Sequence, residues 1–403
     1  MPQRLVIVGA GFAGMYAALS AARLRNIAGV TADELEIVLI APEPTLVVRP
    51  RLYEPNPETL TAPLGGVLNA IDVKYEQGSV ETVDTKAQSV AAIDANGGRK
   101  SMAYDRLVIA TGSRLFRPPV PGLEEYSFSV DDLEEAIALD RHLHGLAERP
   151  LSKARNTVVV AGGGFTGIET ATEMPRRLRQ ILGNKVEIRV MIVERNKSIV
   201  PDMGAGPRPI IEGALRDLGI ETRVGAGVVS LDKSGVVLDS GERIDSETVV
   251  WAAGIRAAPL TQQIPAERDS FGRLVVDSVL RVPSVPGVFA TGDAAKAASD
   301  EIGNYALMSC QHATRMGAFA GNNAAADLLR LPPLPYHQKA YTTCLDLGEA
   351  GAIFTRGWGR KVELVGDEAK KMKKDINTVW IYPPVAERAA ALASADPERV
   401  TDL

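Results

Sequence analysis

The chain has 403 residues, enough for two or three domains with a large core. Its net charge of −5 argues against general attraction to nucleic acid. Its two cysteines, Cys310 and Cys344, are too few for a disulfide scaffold and fit a reducing compartment, and the four histidines (His142, His144, His312, His337) make no metal-ligand spacing with them, so no metal is expected.

The first predicted unit sets the pattern. Leu5 to Val8 is an apolar strand, and Gly9-Ala10-Gly11-Phe12-Ala13-Gly14 is a Gly-x-Gly-x-x-Gly turn. A small-residue helix runs from Gly11 to about Arg25. Gly9 permits the tight turn, Gly11 lets backbone approach a pyrophosphate, and Gly14 lets helix and strand pack closely. The phosphates would lie at the helix N-terminus. Leu5 to Ala22 after Arg4 also has the look of a signal segment or membrane span, but three glycines in register argue against that reading.

Leu35 to Ile40 is the next strand and completes a βαβ unit. The strand end, where a carboxylate would hold a ribose, carries Ala41 and Pro42. Glu43 either takes that role from further on or is a solvated loop charge. Arg49 and Arg51 face phosphate or flavin, or are surface charge. Val67 to Asp105 reads as a small antiparallel meander. It feeds a strand closing in Ala110-Thr111-Gly112, small residues that let the chain pass close to a nucleotide. Pro118 to Gly122 is a linker, and Val130 to Leu146 a helix with Asp131 and Asp132 in its first turn.

The opening pattern then repeats. Asn156 to Ala161 is a strand, Gly162-Gly163-Gly164-Phe165-Thr166-Gly167 a second glycine turn, and Ile168 onward a helix bearing Glu169 and Glu173 one turn apart. Val186 to Val193 is a strand ending at Glu194, which is placed to hold a ribose 2′-hydroxyl and to repel a 2′-phosphate. NADH is therefore favoured, with NADPH the second choice because Arg195 follows. Pro209 to Leu218 is a helix, Thr222 to Leu238 reads as strands, and Thr248 to Trp251 is a strand closing in Ala252-Ala253-Gly254. Gly287 to Ala290 delivers Asp293, through Thr291 and Gly292, to a helix start, where its carboxylate can accept from ribityl hydroxyls. A small-residue helix lies within Leu307 to Leu329 and a proline linker follows. Strands are expected around Thr342 to Leu347 and Gly351 to Phe354. Lys370, Lys371, Lys373 and Lys374 read as a solvated face or a basic interfacial helix. Ala386 to Leu403 reads as a short helix and a loose tail.

Two glycine turns about 150 residues apart, with Ala-Thr-Gly after the first and Ala-Thr-Gly-Asp near the end, are far more specific together than singly. With GGGFTGIE at Gly162 to Glu169, Arg49 to Glu54, Asp375-Ile376-Asn377 and Trp380 to Pro384, the chain resembles type II NADH:quinone oxidoreductases over residues 4–384. The resemblance implies an α/β fold with two Rossmann-like dinucleotide-binding domains, the NAD domain inserted in the FAD domain, plus a small C-terminal α+β region. The expected division is 1–122 and 263–330 for FAD, 123–150 a connecting helix, 151–262 for NAD(P)H and 331–403 the C-terminal region.

The resemblance also implies roles. FAD would rest on Gly9, Gly11, Phe12, Ala13, Gly14, Glu43, Arg49, Ala110, Thr111, Gly112, Gly292 and Asp293. NADH would rest on Gly162, Gly164, Phe165, Thr166, Gly167, Glu194, Ala253 and Gly254. Glu169 matches the family glutamate near the nicotinamide–flavin contact, where it assists proton movement; capping or packing is its other reading. Gln311 falls in the quinone-site pattern Ala-Gln-x-Ala-x-Gln, but Cys310 and Arg315 replace the first Ala and the second Gln. The implied partners are a nicotinamide nucleotide and a quinone or other small electron acceptor. Weak peripheral membrane association, on the inner face of a cytoplasmic location, and a homodimer are further expectations. The alternatives are a reductase of a ferredoxin-type protein and a sulfide:quinone-type enzyme using Cys310 and Cys344. No Cys-x4-Cys follows the first helix, which speaks against a dithiol route.

Overall fold

The Val- and Ile-rich runs of the sequence carry no alternation of polar residues, which suits strands covered on both faces. They take that place in the computed structural model, which describes residues 2–399. β1 (Gln3–Val8), β2 (Leu35–Ala41), β3 (Lys74–Gln77) and β4 (Arg106–Ile109) belong to one parallel sheet, with α1 (Phe12–Ile27) crossing between β1 and β2. β5 (Thr157–Ala161), β6 (Arg189–Glu194), β7 (Ile220–Val224) and β8 (Thr248–Trp251) form a second, in the order β7-β6-β5-β8, with α2 (Phe165–Leu182) after β5. β9 (Val288–Ala290) returns to the first sheet, whose order is β9-β4-β1-β2-β3. Both sheets therefore begin a βαβ unit at a central strand, and each glycine turn sits at the carboxyl end of that strand.

α3 (Cys310–Leu329) lies directly on α1. A Cβ on Gly317 would stand 2.3 Å from the Ala13 carbonyl oxygen, and one on Gly321 2.0 Å from that of Ala17. The helices meet backbone to backbone, which sets the first turn of α3 beside that of α1. Gly321→Val is expected to lower stability by about 3 kcal/mol or more through overpacking. An unchanged denaturation midpoint would refute this contact.

The last unit is an antiparallel sheet of β10 (Thr342–Asp346), β11 (Ala352–Arg356) and β12 (Lys361–Val365), covered by α4 (Gly366–Asp375). α5 (Arg388–Ser394) follows. Rather than a loose tail, this segment is clamped to the first sheet's helices. Ala391 and Ala395 are buried, Arg388 pairs with Asp72 at 2.6 Å, and Asp396 pairs with Arg23 at 2.6 Å. Just before the helix, Ala386 Cβ lies 3.2 Å from where Gly66 would carry a Cβ. The rest of the expected tail, residues 400–403, lies outside the described residues. Among the described residues no helix is long and apolar enough to cross a membrane.

Several local expectations need correction. Gly65–Ala70 is a short helix, not a strand, and β3 joins the parallel sheet instead of the antiparallel meander. The helix expected from Val130 begins at Leu133, because the Asp132 side chain caps it by accepting from the Glu135 N–H. Asp131 is drawn away to Arg49. β6 begins at Arg189, not Val186, and α2 at Phe165, not Ile168. β12 was not anticipated. Asp293 sits in a single 3-10 turn, Gly292–Ala294, rather than at a helix start. The helix that reaches it is α3, whose Ala313 Cβ lies 3.5 Å from the Cβ position of Gly292.

Candidate active site

The two glycine turns are built alike. The Gly9 N–H donates to the Ile40 carbonyl, and the Gly162 N–H donates to that of Val193. Gly9 and Gly162 have φ of +110° and +121°, where an L side chain is strained. A Cβ on Gly14 would stand 1.8 Å from the Gly9 oxygen, and one on Gly167 1.9 Å from that of Gly162. Around Gly11 and Gly164, by contrast, an added Cβ would meet nothing within 4 Å. These two are the N-caps of α1 and α2, and no side chain caps either helix. The free N–H groups of both helix starts thus face open space, the arrangement that receives a pyrophosphate.

The matching hydrogen bonds make Ala41 the counterpart of Glu194. Glu194 is buried and turned onto its own glycine turn: one oxygen accepts from the Gly163 N–H at 2.6 Å, the other from Asn196 at 2.7 Å. Ala41 offers the first turn no carboxylate. Glu43 is exposed, and its oxygen accepts from Gln77 at 3.4 Å.

Beyond the first turn, β4 and β9 end side by side. Their terminal hydroxyls, Thr111 Oγ1 and Thr291 Oγ1, are buried without a partner, a mark of a group that belongs there and is not protein. Next to them Asp293 accepts from the Ser113 hydroxyl at 2.6 Å. Burial raises its pKa against the pull of Arg49. Arg49 spans the gap, donating to Ser113 and pairing with Asp131 at 2.6 Å. Arg51 instead pairs with Glu54 at 2.7 Å and donates to the Tyr382 hydroxyl. At the second turn, Ala253 and Gly254 follow β8, whose next residue, Ala252, lies 2.9 Å from the Cβ position of Gly162.

Glu169 stands in the first turns of α2 and is buried. Its Oε1 accepts from Lys373 Nζ at 2.7 Å and from the Asp346 N–H at 3.0 Å. Lys373 is buried too and also donates to the Cys344 carbonyl at 3.0 Å. Burial pushes the Glu169 carboxyl up to about 7, with Lys373 pulling against it. The nearby Asp346 accepts from the Tyr53 hydroxyl at 3.3 Å and from half-exposed Lys370 at 2.5 Å. A carboxyl that titrates near neutrality, in a buried polar network that ends at a solvated lysine, is equipped to hold and pass a proton. The sequence reading of the lysine cluster missed this. Its signal was the spacing: Ala369, Lys373 and Asn377 recur every four residues and all are buried.

Gln311, on the first turn of α3, donates to Thr342 Oγ1 at 2.9 Å, and Arg315 donates to the His337 carbonyl. Burial pushes the Cys310 thiol up to about 11 and that of Cys344 up to about 12. Cys344 packs under α4 and donates to the Ala369 carbonyl. Neither is an activated thiolate. His142 is a packing residue, held neutral by burial at about 4 and bonded to Thr248. Among the described residues no cluster of metal-ligating side chains occurs.

This geometry has relatives. The family model for pyridine nucleotide-disulphide oxidoreductases matches residues 3–317. The NADH dehydrogenase-like protein Rv1812c of Mycobacterium tuberculosis is 45% identical over 397 residues, covering 98% of both chains. Demethylphylloquinone reductase NdbB of Synechocystis is 29% identical over 387 residues, 94% of this chain and 91% of that one. The structure of NDH2 from Plasmodium falciparum in complex with NADH shares the fold, with a TM-score of 0.79 at 15% identity over 98% of each chain. The chain belongs to the pyridine nucleotide-disulphide oxidoreductase family, and within it is closely related to the type II NADH:quinone oxidoreductases.

Proposed function

We propose that the protein is an FAD-dependent NADH oxidoreductase that delivers two electrons to a quinone-type acceptor. The observation that carries this is the pair of open, matched helix starts, with buried Glu169, paired to Lys373, in the first turns of the second of those helices. Residues 1–122 and 263–330 serve FAD and 151–262 serve NADH. FAD, when bound, supplies hydride acceptance from the nicotinamide and onward electron transfer.

The chain does the rest. Gly11, Phe12 and Ala13 present N–H groups to the FAD pyrophosphate. Asp293, backed by Ser113 and Arg49, accepts from ribityl hydroxyls, and Thr111 and Thr291 gain partners. Gly164, Phe165 and Thr166 do for NADH what the first turn does for FAD. Glu169 holds a proton at Oε2, the oxygen left free by Lys373 and the Asp346 N–H, and Gln311 orients the acceptor. Anaerobic flavin reduction by NADH, followed by reoxidation with a soluble quinone, tests the whole reading. A purified protein that carries and binds no flavin would sink it.

Glu194 should select the nucleotide. Because both its oxygens are fixed by backbone N–H groups, it presents a rigid carboxylate to the ribose. Glu194→Gln is expected to lower the NADH-over-NADPH preference in kcat/KM about tenfold or more. An unchanged ratio would remove the residue from the ribose site.

The acceptor side also fits a location against the inner face of a membrane. Val379, Trp380 and Val385 are exposed beside the exposed Lys371 and Lys374, a pairing of apolar and basic groups that suits an anionic lipid surface. Co-sedimentation with anionic but not neutral vesicles is the expected result. The homodimer rests on the resemblance, and light scattering in solution decides it.

A further inference from the structure

The hairpin between β11 and β12 folds back onto the first turn of α3 through Gly357-Trp358-Gly359-Arg360. The Gly357 N–H donates to the Tyr341 carbonyl at 2.7 Å, and the Arg360 N–H donates to that of Gly357 at 3.0 Å. This brings four side chains together. The Tyr341 and Trp358 rings stack with centroids 4.7 Å apart, the His312 ring is 4.9 Å from Tyr341, and the Arg360 guanidinium lies 4.3 Å over Tyr341. His312 is fully buried and Arg360 is 8% exposed.

Three buried nitrogens in this cluster have no hydrogen-bond partner: His312 Nε2, Trp358 Nε1 and Arg360 Nη1. Trp358 and Arg360 are donors only. His312 reads as a third donor. Its Nδ1 lies 3.0 Å from Ser309 Oγ, which already accepts the His312 backbone N–H as the helix cap. The Ser309 hydroxyl hydrogen is then free to go to Nδ1, leaving the proton on Nε2. Among the described residues Arg360 has no carboxylate in ion-pair contact, and the Tyr341 ring face is what its nearly buried guanidinium rests on. Unpaired buried donors and charges are costly, and native proteins keep few of them. An acceptor-only, negatively charged group is the chemistry that such donors call for.

We infer that His312, Trp358 and Arg360 form a phosphate site, closed by the Gly357–Arg360 turn. Three donors on three side chains match the three free oxygens of a phosphate monoester. Gly359, within the turn that borders the cluster, is exposed. Occupation would be felt at Gln311, the residue before His312. The phosphate can come free in solution or on a lipid head group, and the two sources are separable.

The test is tryptophan emission and thermal stability of the full-length protein at constant ionic strength. Inorganic phosphate is titrated in one arm, and vesicles carrying phosphatidic acid, in phosphate-free buffer, in the other. The expected result is a saturable emission change with a rise in Tm in at least one arm, identifying the source. Arg360→Gln should weaken it about tenfold or more, and Trp358→Phe should abolish the emission change, since the remaining Trp251 and Trp380 lie elsewhere. His312→Asn, a milder change outside the turn, should weaken it as well. No saturable response in either arm, or wild-type affinity in both Arg360→Gln and His312→Asn, overturns the site. The readout uses neither NADH nor an acceptor, so it fails or stands apart from the redox reading.

Discussion

Lys373→Met is expected to destabilise the protein by about 3–5 kcal/mol at a pH high enough to ionise Glu169, since it then leaves the carboxylate buried without its partner. The double variant with Glu169→Gln should recover much of that loss, because it removes both charges from the interior. Full additivity of the two single effects would show that the pair does not interact. The pH dependence has a definite sign. Glu169 titrates at about 7 in the folded protein against 4.5 ordinarily. Folding therefore favours its protonated form. That contribution is fully present below pH 4.5 and is lost as pH rises through about 7. Wild-type stability should fall across this window, and Glu169→Gln should remove that component. In Lys373→Met the window should extend above 7, because the cation that helps ionise Glu169 is gone. Activity should follow the same group. If Glu169 donates the proton that accompanies acceptor reduction, flavin reoxidation slows as pH rises through about 7. A Glu169→Gln enzyme with the same inflection would assign that proton to another group.

Much of this site was legible because its requirements are local. A glycine turn is defined by backbone that only glycine tolerates within six residues, and Gly9, Gly14, Gly162 and Gly167 stand where that need is visible in sequence. Glu194 was legible because it ends a strand, a fixed place relative to the turn. The other half of the chemistry depends on topology. Lys373 meets Glu169 across 204 positions, and Arg49 meets Asp131 across 82. Nothing in the lysine run singles out one member except its place on the buried stripe of α4. Asp293 shows the same limit. Its surroundings were read as a helix start in sequence, yet the helix comes from a later segment that docks there because Gly317 and Gly321 let α3 lie on α1. The fate of the C-terminal alanines was likewise hidden, since their partners are on the far end of the chain.

The sharpest test of the nucleotide sites separates glycines that serve the fold from glycines that serve the ligand. Gly14→Val puts a side chain where even Cβ would stand 1.8 Å from a backbone oxygen, and Gly167→Val does the same at 1.9 Å. Neither neighbour is a flexible side chain, so both variants should fail to fold or should lose several kcal/mol of stability. Gly11→Val and Gly164→Val meet nothing within 4 Å at Cβ, and both positions have extended backbone that any residue adopts. These two should fold with Tm close to that of the flavin-free wild type. If the open space is where a pyrophosphate lies, their cost appears only in binding. Gly11→Val should then purify without flavin and take up little when FAD is supplied, because the added methyl groups occupy the approach to the free N–H groups of α1. Gly164→Val should keep its flavin and lose NADH, with KM raised about a hundredfold, on the scale of losing several charge-assisted hydrogen bonds. Visible absorbance of the purified variants and calorimetry with each nucleotide read the two outcomes independently. A Gly11→Val protein that retains full flavin, or a Gly164→Val protein with unaltered NADH affinity, would leave that turn a packing device and move its nucleotide elsewhere.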